Sequence, residues 1–172
     1  MKEQVMKQTW KDDTGVNIIL DYLLTFIITM ILFTMMIMII NDVMNISDRI
    51  VLKEEFDIIS NDIANRVYAF ASDVNMSKNM GLNSSVAVLY HTAYFDLPEL
   101  IQSKQYRVDI TYDESTYIGT VVVTYVSNSN VFSTSTFYSL IPVEEAHFYS
   151  QQGRYGIFYN STLAKIQVRN GV

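Results

Sequence analysis

The 172-residue sequence has no cysteine, which excludes disulfide frameworks, thiolate zinc sites and cysteine nucleophiles. It is also short of basic residues: 12 Lys and Arg stand against 18 Asp and Glu, a formal net charge of −6. A protein that grips nucleic acid needs clustered Lys and Arg to displace phosphate counterions, so no nucleic-acid partner is expected. Histidine is scarce, with only His91 and His147. Neither belongs to a pair at helical spacing such as H-E-x-x-H, although Glu144-Glu145-Ala146-His147 has a superficial likeness to one. G-x-S-x-G, G-x-G-x-x-G and phosphate-cradling loops are all missing. The adjacent pairs Glu54-Glu55 and Glu144-Glu145 read most simply as solvated charges, and Asp113-Glu114 as part of a turn. No catalytic, cofactor-binding or metal-binding residue is assigned, and the chain is expected not to be an enzyme.

Helix breakers are missing from a long stretch, since no Gly or Pro occurs between Val16 and Met80. Within it, residues 16–40 read VNIILDYLLTFIITMILFTMMIMII, with Asp21 the single charge. At about 1.5 Å per residue the run reaches roughly 37 Å, against roughly 30 Å of bilayer hydrocarbon. Few small domains can surround a helix this apolar on every face, which argues against a buried core helix. A cleavable secretory signal has a shorter apolar region followed by small residues, and Asn41-Asp42-Val43-Met44-Asn45 offers no such site. Residues 16–40 are thus expected to form a transmembrane helix in contact with membrane lipid, with residues 1–15 as a short cytoplasmic tail or leader. Lys2, Lys7 and Lys11 precede the span while Arg49 and Lys53 follow it, so the charge bias is slight. The much longer C-terminal portion favours a single-pass cell-membrane protein with a cytoplasmic N-terminus and an extracellular head.

A carboxylate at the bilayer centre costs about 2.5–3.5 kcal/mol, and Asp21, near the start of the run, costs less. Asn17, Asp21, Thr25 and Thr29 follow one another at four-residue steps and share one slowly drifting helical face. Two readings of this face stand side by side. In one, the hydroxyls bond back to their own helix and the acid snorkels; in the other, the four residues form a helix–helix contact stripe.

Beyond Ile40 the chain turns polar, and residues 41–74 are expected to be an amphipathic extension of the helix. Leu52, Phe56, Ile59, Ile63, Val67 and Phe70 recur at steps of three and four and make a narrow apolar seam. Lys53, Glu54, Asp57, Asp62 and Arg66 occupy the other side. Ser47 or Asp48 is able to cap a fresh helix, so a break in residues 41–48 is also compatible with the sequence. The seam needs a partner, either the protein's own head or the helices of other subunits.

Residues 75–84 are rich in Asn and Ser with Gly81, and are expected to be a hinge loop. In residues 85–172, strand signals recur at 85–93, 106–112, 117–127, 131–140, 146–150, 155–159 and 163–168. The expected fold class is α+β: a long N-terminal transmembrane helix continuing as an amphipathic helix, then an antiparallel β-sandwich-like head. The 12 Tyr read as strand residues with ring buried and hydroxyl wet, in preference to ligand-stacking platforms. Asn-x-Ser/Thr sequons begin at Asn45, Asn75, Asn83 and Asn160. Asn45 falls close to the bilayer, whereas Asn75, Asn83 and Asn160 fall in expected loops and are candidate glycosylation sites.

The segments DDTGVNIILDYLLTFIITMILFTMM and VLKEEFDIISNDIANRVYAF, with DLPELIQSKQYRVDITYD in the head, resemble type IV pilin-like proteins, most of all the archaeal ones. The likeness is one of architecture over the first 60 or so residues. It implies a structural subunit or accessory protein of a pilus-like surface filament, or of its membrane assembly. It further implies partners among other pilin-like subunits or copies of the chain itself. Members of that family lose a leader after a Gly and often carry an acid five residues into the mature chain. Cleavage after Gly15 would place Asp21 one position later than that, and Thr14 stands where the family has a basic residue. The competing expectation is a single-pass anchored binding module whose head recognises a cell-surface partner, such as a surface-layer protein.

Overall fold

A computed structural model describes residues 2–80, 92–150 and 153–170, with side chains from residue 17 onward. One α-helix, α1, spans Lys2–Asn79 and is divided between two compact units, Met1–Asp48 and Arg49–Val172. Residues 41–48 are helical, so the chain makes no fresh start at Ser47 or Asp48. The helix also continues beyond residue 74, into the segment expected to be a hinge. The reason is local: no Gly or Pro intervenes before Gly81, and Val74 is buried in the core. Residues 81–91, which include most of the strand expected at 85–93, lie outside the described residues.

The second unit has an α+β fold with an antiparallel sheet head. Its strands are β1 (Thr92–Asp96), β2 (Tyr106–Asp113), β3 (Ile118–Tyr125), β4 (Phe132–Tyr138), β5 (Ala146–Tyr149), β6 (Arg154–Asn160) and β7 (Lys165–Asn170). They form a four-stranded sheet, β4-β3-β2-β5, and a three-stranded sheet, β1-β6-β7. The connection between β4 and β5 bridges to β7: Ile166 N–H donates to the Pro142 carbonyl, and Glu144 N–H donates to that of Ile166, both at 2.8 Å. That leaves β4 and β1 as the far edges.

Alternation along the strands sorts the side chains, since neighbouring residues point to opposite faces. Tyr106, Val108 and Ile110 of β2, Val121 and Val123 of β3, and Ile157 and Tyr159 of β6 point inward and are buried. Thr111, Thr120 and Thr136 lie opposite one another on the outer face of β2, β3 and β4. Gly119 of β3 faces Phe137 of β4 on the inner side.

The apolar seam of α1 completes this core. Leu52, Phe56, Ile59, Ile63, Val67 and Phe70 are all buried, in one cluster with the inward residues of both sheets. The Phe56 and Tyr106 rings pack with centroids 5.9 Å apart. Fully burying a side chain such as Leu, Ile or Phe contributes about 1.5–3 kcal/mol, so six of them make α1 the head's main apolar support. Helix and sheet therefore depend on each other.

Candidate functional site

The seam residues face the protein's own head, so the apolar surface of α1 that the head does not cover lies earlier in the helix. Every described residue from 17 to 51 is exposed. This part of the helix is long and apolar enough to cross a membrane, and none of its most apolar window is buried. Ile27, Ile31, Met35 and Met38 are among the large apolar side chains standing free of any protein contact that would bury them.

The four residues at four-residue steps differ in what they offer. Thr25 Oγ1 donates to the Asp21 carbonyl at 2.7 Å, and Thr29 Oγ1 donates to the Thr25 carbonyl at 2.8 Å. Thr34 repeats the pattern onto Met30. These hydroxyls are satisfied within their own helix, as Ser and Thr in helices commonly are. The Asp21 carboxylate and the Asn17 amide make no side-chain hydrogen bond among the described residues, which leaves them as the polar groups of this face open to a neighbour.

Within the second unit, α1 is fastened to the edge strand β4 by a polar contact that the sequence did not reveal. Ser60 is fully buried on the seam and lies 3.1 Å from Ser133 Oγ and 2.8 Å from Ser135 Oγ. Ser133 also donates to the Asp57 carboxylate, and Ser135 donates to Asn61 Oδ1 at 2.9 Å. Small hydroxyls allow helix and strand to approach closely while every buried polar group keeps a partner. On the other flank, the Arg66 guanidinium lies 6.0 Å from the Phe95 ring of β1, and Lys78 Nζ lies 5.0 Å from the Tyr159 ring of β6.

The remaining chemically active residues are dispersed. His147 Nδ1 is 2.8 Å from Asp109 Oδ1 on the exposed face of β5 and β2, where Arg107 also pairs with Asp109. His91 lies outside the described residues. Glu54, Glu55, Glu144 and Glu145 are all exposed. Among the described residues no group of three or more His, Cys, Asp or Glu is placed to hold a metal ion. Asp113 serves its turn: its carboxylate accepts from the backbone and hydroxyl of Ser115 and from Thr116, which holds its pKa below the usual carboxylate range. Tyr106 and Tyr112 are perturbed in the other direction. Burial, then the neighbouring Tyr155, pushes the Tyr106 phenol above its ordinary range, and its hydroxyl donates to the Pro98 carbonyl at 2.7 Å. Burial likewise raises that of Tyr112.

The candidate glycosylation residues have different settings. Asn75 sits inside α1 and not in a loop, for the reason given for the helix end. Asn83 lies outside the described residues, and Asn160 closes β6 at an exposed turn. No protein-family model matches this chain, and no curated protein or solved structure matches it either.

Proposed function

We propose that this chain is a single-pass membrane-anchored structural protein, a pilin-like subunit or accessory protein of a surface filament or of its membrane assembly. In this reading the N-terminus is cytoplasmic, the head is extracytoplasmic, and the partners are lipid and the helices of neighbouring subunits. The observation that carries it is the division of labour along α1. Residues 17–51 are exposed and most of them apolar, whereas the seam from Leu52 to Phe70 is buried in the head. An exposed apolar helix surface of this extent is unstable in water and needs lipid or other helices around it. Asp21 gives that surface a polar group whose cost in a membrane falls when a neighbouring helix supplies a donor.

The test is in-membrane cross-linking of the full chain against its Asp21→Ala variant in the native host. The reading expects cross-linked multimers for the parent, a severalfold loss for the variant, and an unchanged near-UV spectrum of the head. A parent that remains monomeric at native abundance overturns the assembly reading and leaves an anchored binding module. Edman sequencing of the same preparation reports whether the mature chain begins at Val16, the result a processed subunit would give.

A further inference from the structure

Sequons are common by chance, and what separates them here is the backbone on which each asparagine sits. Asn45 and Asn75 belong to α1. Asn75 is half-buried beside the core residue Val74, and the Ser77 hydroxyl of its sequon donates to the Asp73 carbonyl at 2.9 Å. In a helix the backbone on both sides is held in its own hydrogen-bond ladder, so the tripeptide cannot bend away to enter an enzyme without breaking the helix.

Asn160 is held on one side only: it pairs with Lys165 as the last rung of the β6–β7 ladder, and the rest of its sequon leaves the ladder. It is the last residue of β6, at the start of the exposed turn 161–164 that leads to β7. Alternation places Tyr159 in the core and Asn160 on the outward side with Phe158. Its Oδ1 accepts from Thr162 N–H at 3.0 Å and from Leu163 N–H at 3.2 Å, the local bonding that fits Asn to turns. Two donors on the carbonyl oxygen polarise the carboxamide and favour loss of a proton from its nitrogen. Nδ2 itself makes no hydrogen bond among the described residues.

We propose that Asn160 is an N-glycosylation site, accepting a sugar from a glycosyl phosphate donor through the sequon Asn160-Ser161-Thr162. In the transfer, Nδ2 forms a bond to the anomeric carbon of the sugar. The bond from that carbon to the donor's phosphate oxygen breaks, its electron pair leaves with the phosphate, and one Nδ2 proton passes to a base of the transferase. No redox change occurs. This site rests on the reading of the head as extracytoplasmic. A glycan there would stand over turn 161–164 and keep that end of the three-stranded sheet free of subunit contacts.

The test is mass spectrometry of a tryptic digest of the full-length protein from its native membrane. Cleavage after Arg154 and Lys165 isolates Asn160 in peptide 155–165, while cleavage after Arg66 and Lys78 isolates Asn75 in peptide 67–78. The expected result is a glycan on peptide 155–165, none on 67–78, loss of the glycan in Thr162→Ala and its retention in Thr162→Ser. Peptide 155–165 found only at its unmodified mass overturns the proposal. Protease treatment of intact cells separates the two ways of failing. A head digested from outside with Asn160 bare overturns the glycosylation alone, whereas a head protected inside the cell overturns the orientation as well.

Discussion

Gly119 and Phe137 face each other across β3 and β4, and the Phe137 ring fills the place where a β-carbon on residue 119 would lie, with Cζ only 2.0 Å from it. The pair is one packing unit, and neither residue can change size alone. Gly119→Ala is expected to destabilise the head by about 1–3 kcal/mol, the usual cost of overpacking a core. Phe137→Leu in the same background should recover part of that loss. Chemical denaturation of the four proteins of the cycle in detergent micelles checks it, and additive losses would show that the ring and the glycine are not coupled.

Phe56 tests the dependence of the sheets on the helix. It is fully buried and packs on Tyr106, so Phe56→Ala should cost about 3–5 kcal/mol. Near-UV dichroism from the head should collapse at lower temperature, while far-UV helicity falls only in part because residues before Arg49 form a separate compact unit. A melting temperature equal to the parent's would sink the assignment of the seam to the head.

Two substitutions at Ser60 are expected to behave unequally. Removing the hydroxyl in Ser60→Ala leaves Ser133 bonded to Asp57 and Ser135 bonded to Asn61, so the loss should be about 0.5–1.5 kcal/mol. Ser60→Leu forces bulk between helix and β4 and should be worse. Equal stabilities for Ser60→Ala and Ser60→Leu, read from urea midpoints, would show that the contact is not closely packed.

Tyr106 predicts an alkaline limit to stability. Its phenol is raised in the folded chain, so above pH of about 10 the unfolded chain loses a proton that the folded chain retains. Protons bound by the unfolded state then fall below those bound by the native state, and stability decreases as pH rises. Below pH of about 10 this contribution is fully present. Tyr106→Phe should flatten the decline between pH 9 and 11 relative to the parent, followed by thermal melts across that range. A variant with the parent's slope would assign the decline elsewhere.

Much of the fold was legible because two periods dominate the sequence. The three-and-four spacing from Leu52 to Phe70 marked a helix face that needed covering, and all six seam residues are buried. Period-two alternation marked β2, β3 and β4 to within a few residues. The helix end was misplaced because Asn, Ser and Met between residues 75 and 80 carry no strong preference, and burial of Val74 decided the matter. Ser60 escaped notice for a related reason. A serine on an amphipathic helix is unremarkable until its partners, 73 and 75 residues away, are brought beside it. Likewise, Thr25 and Thr29 bond backward along their helix, whereas spacing alone could not separate that from contact with a neighbour.

The shared core also bears on shedding. A protease that cuts between residues 52 and 74 releases no intact head, because it leaves part of the core behind on the N-terminal fragment. A soluble form that keeps this core has to begin near Arg49, where the second compact unit starts, and not at the end of the helix. Any fragment of this protein that keeps the folded head should therefore carry a helical stalk, and an antibody raised against residues 49–79 should recognise it.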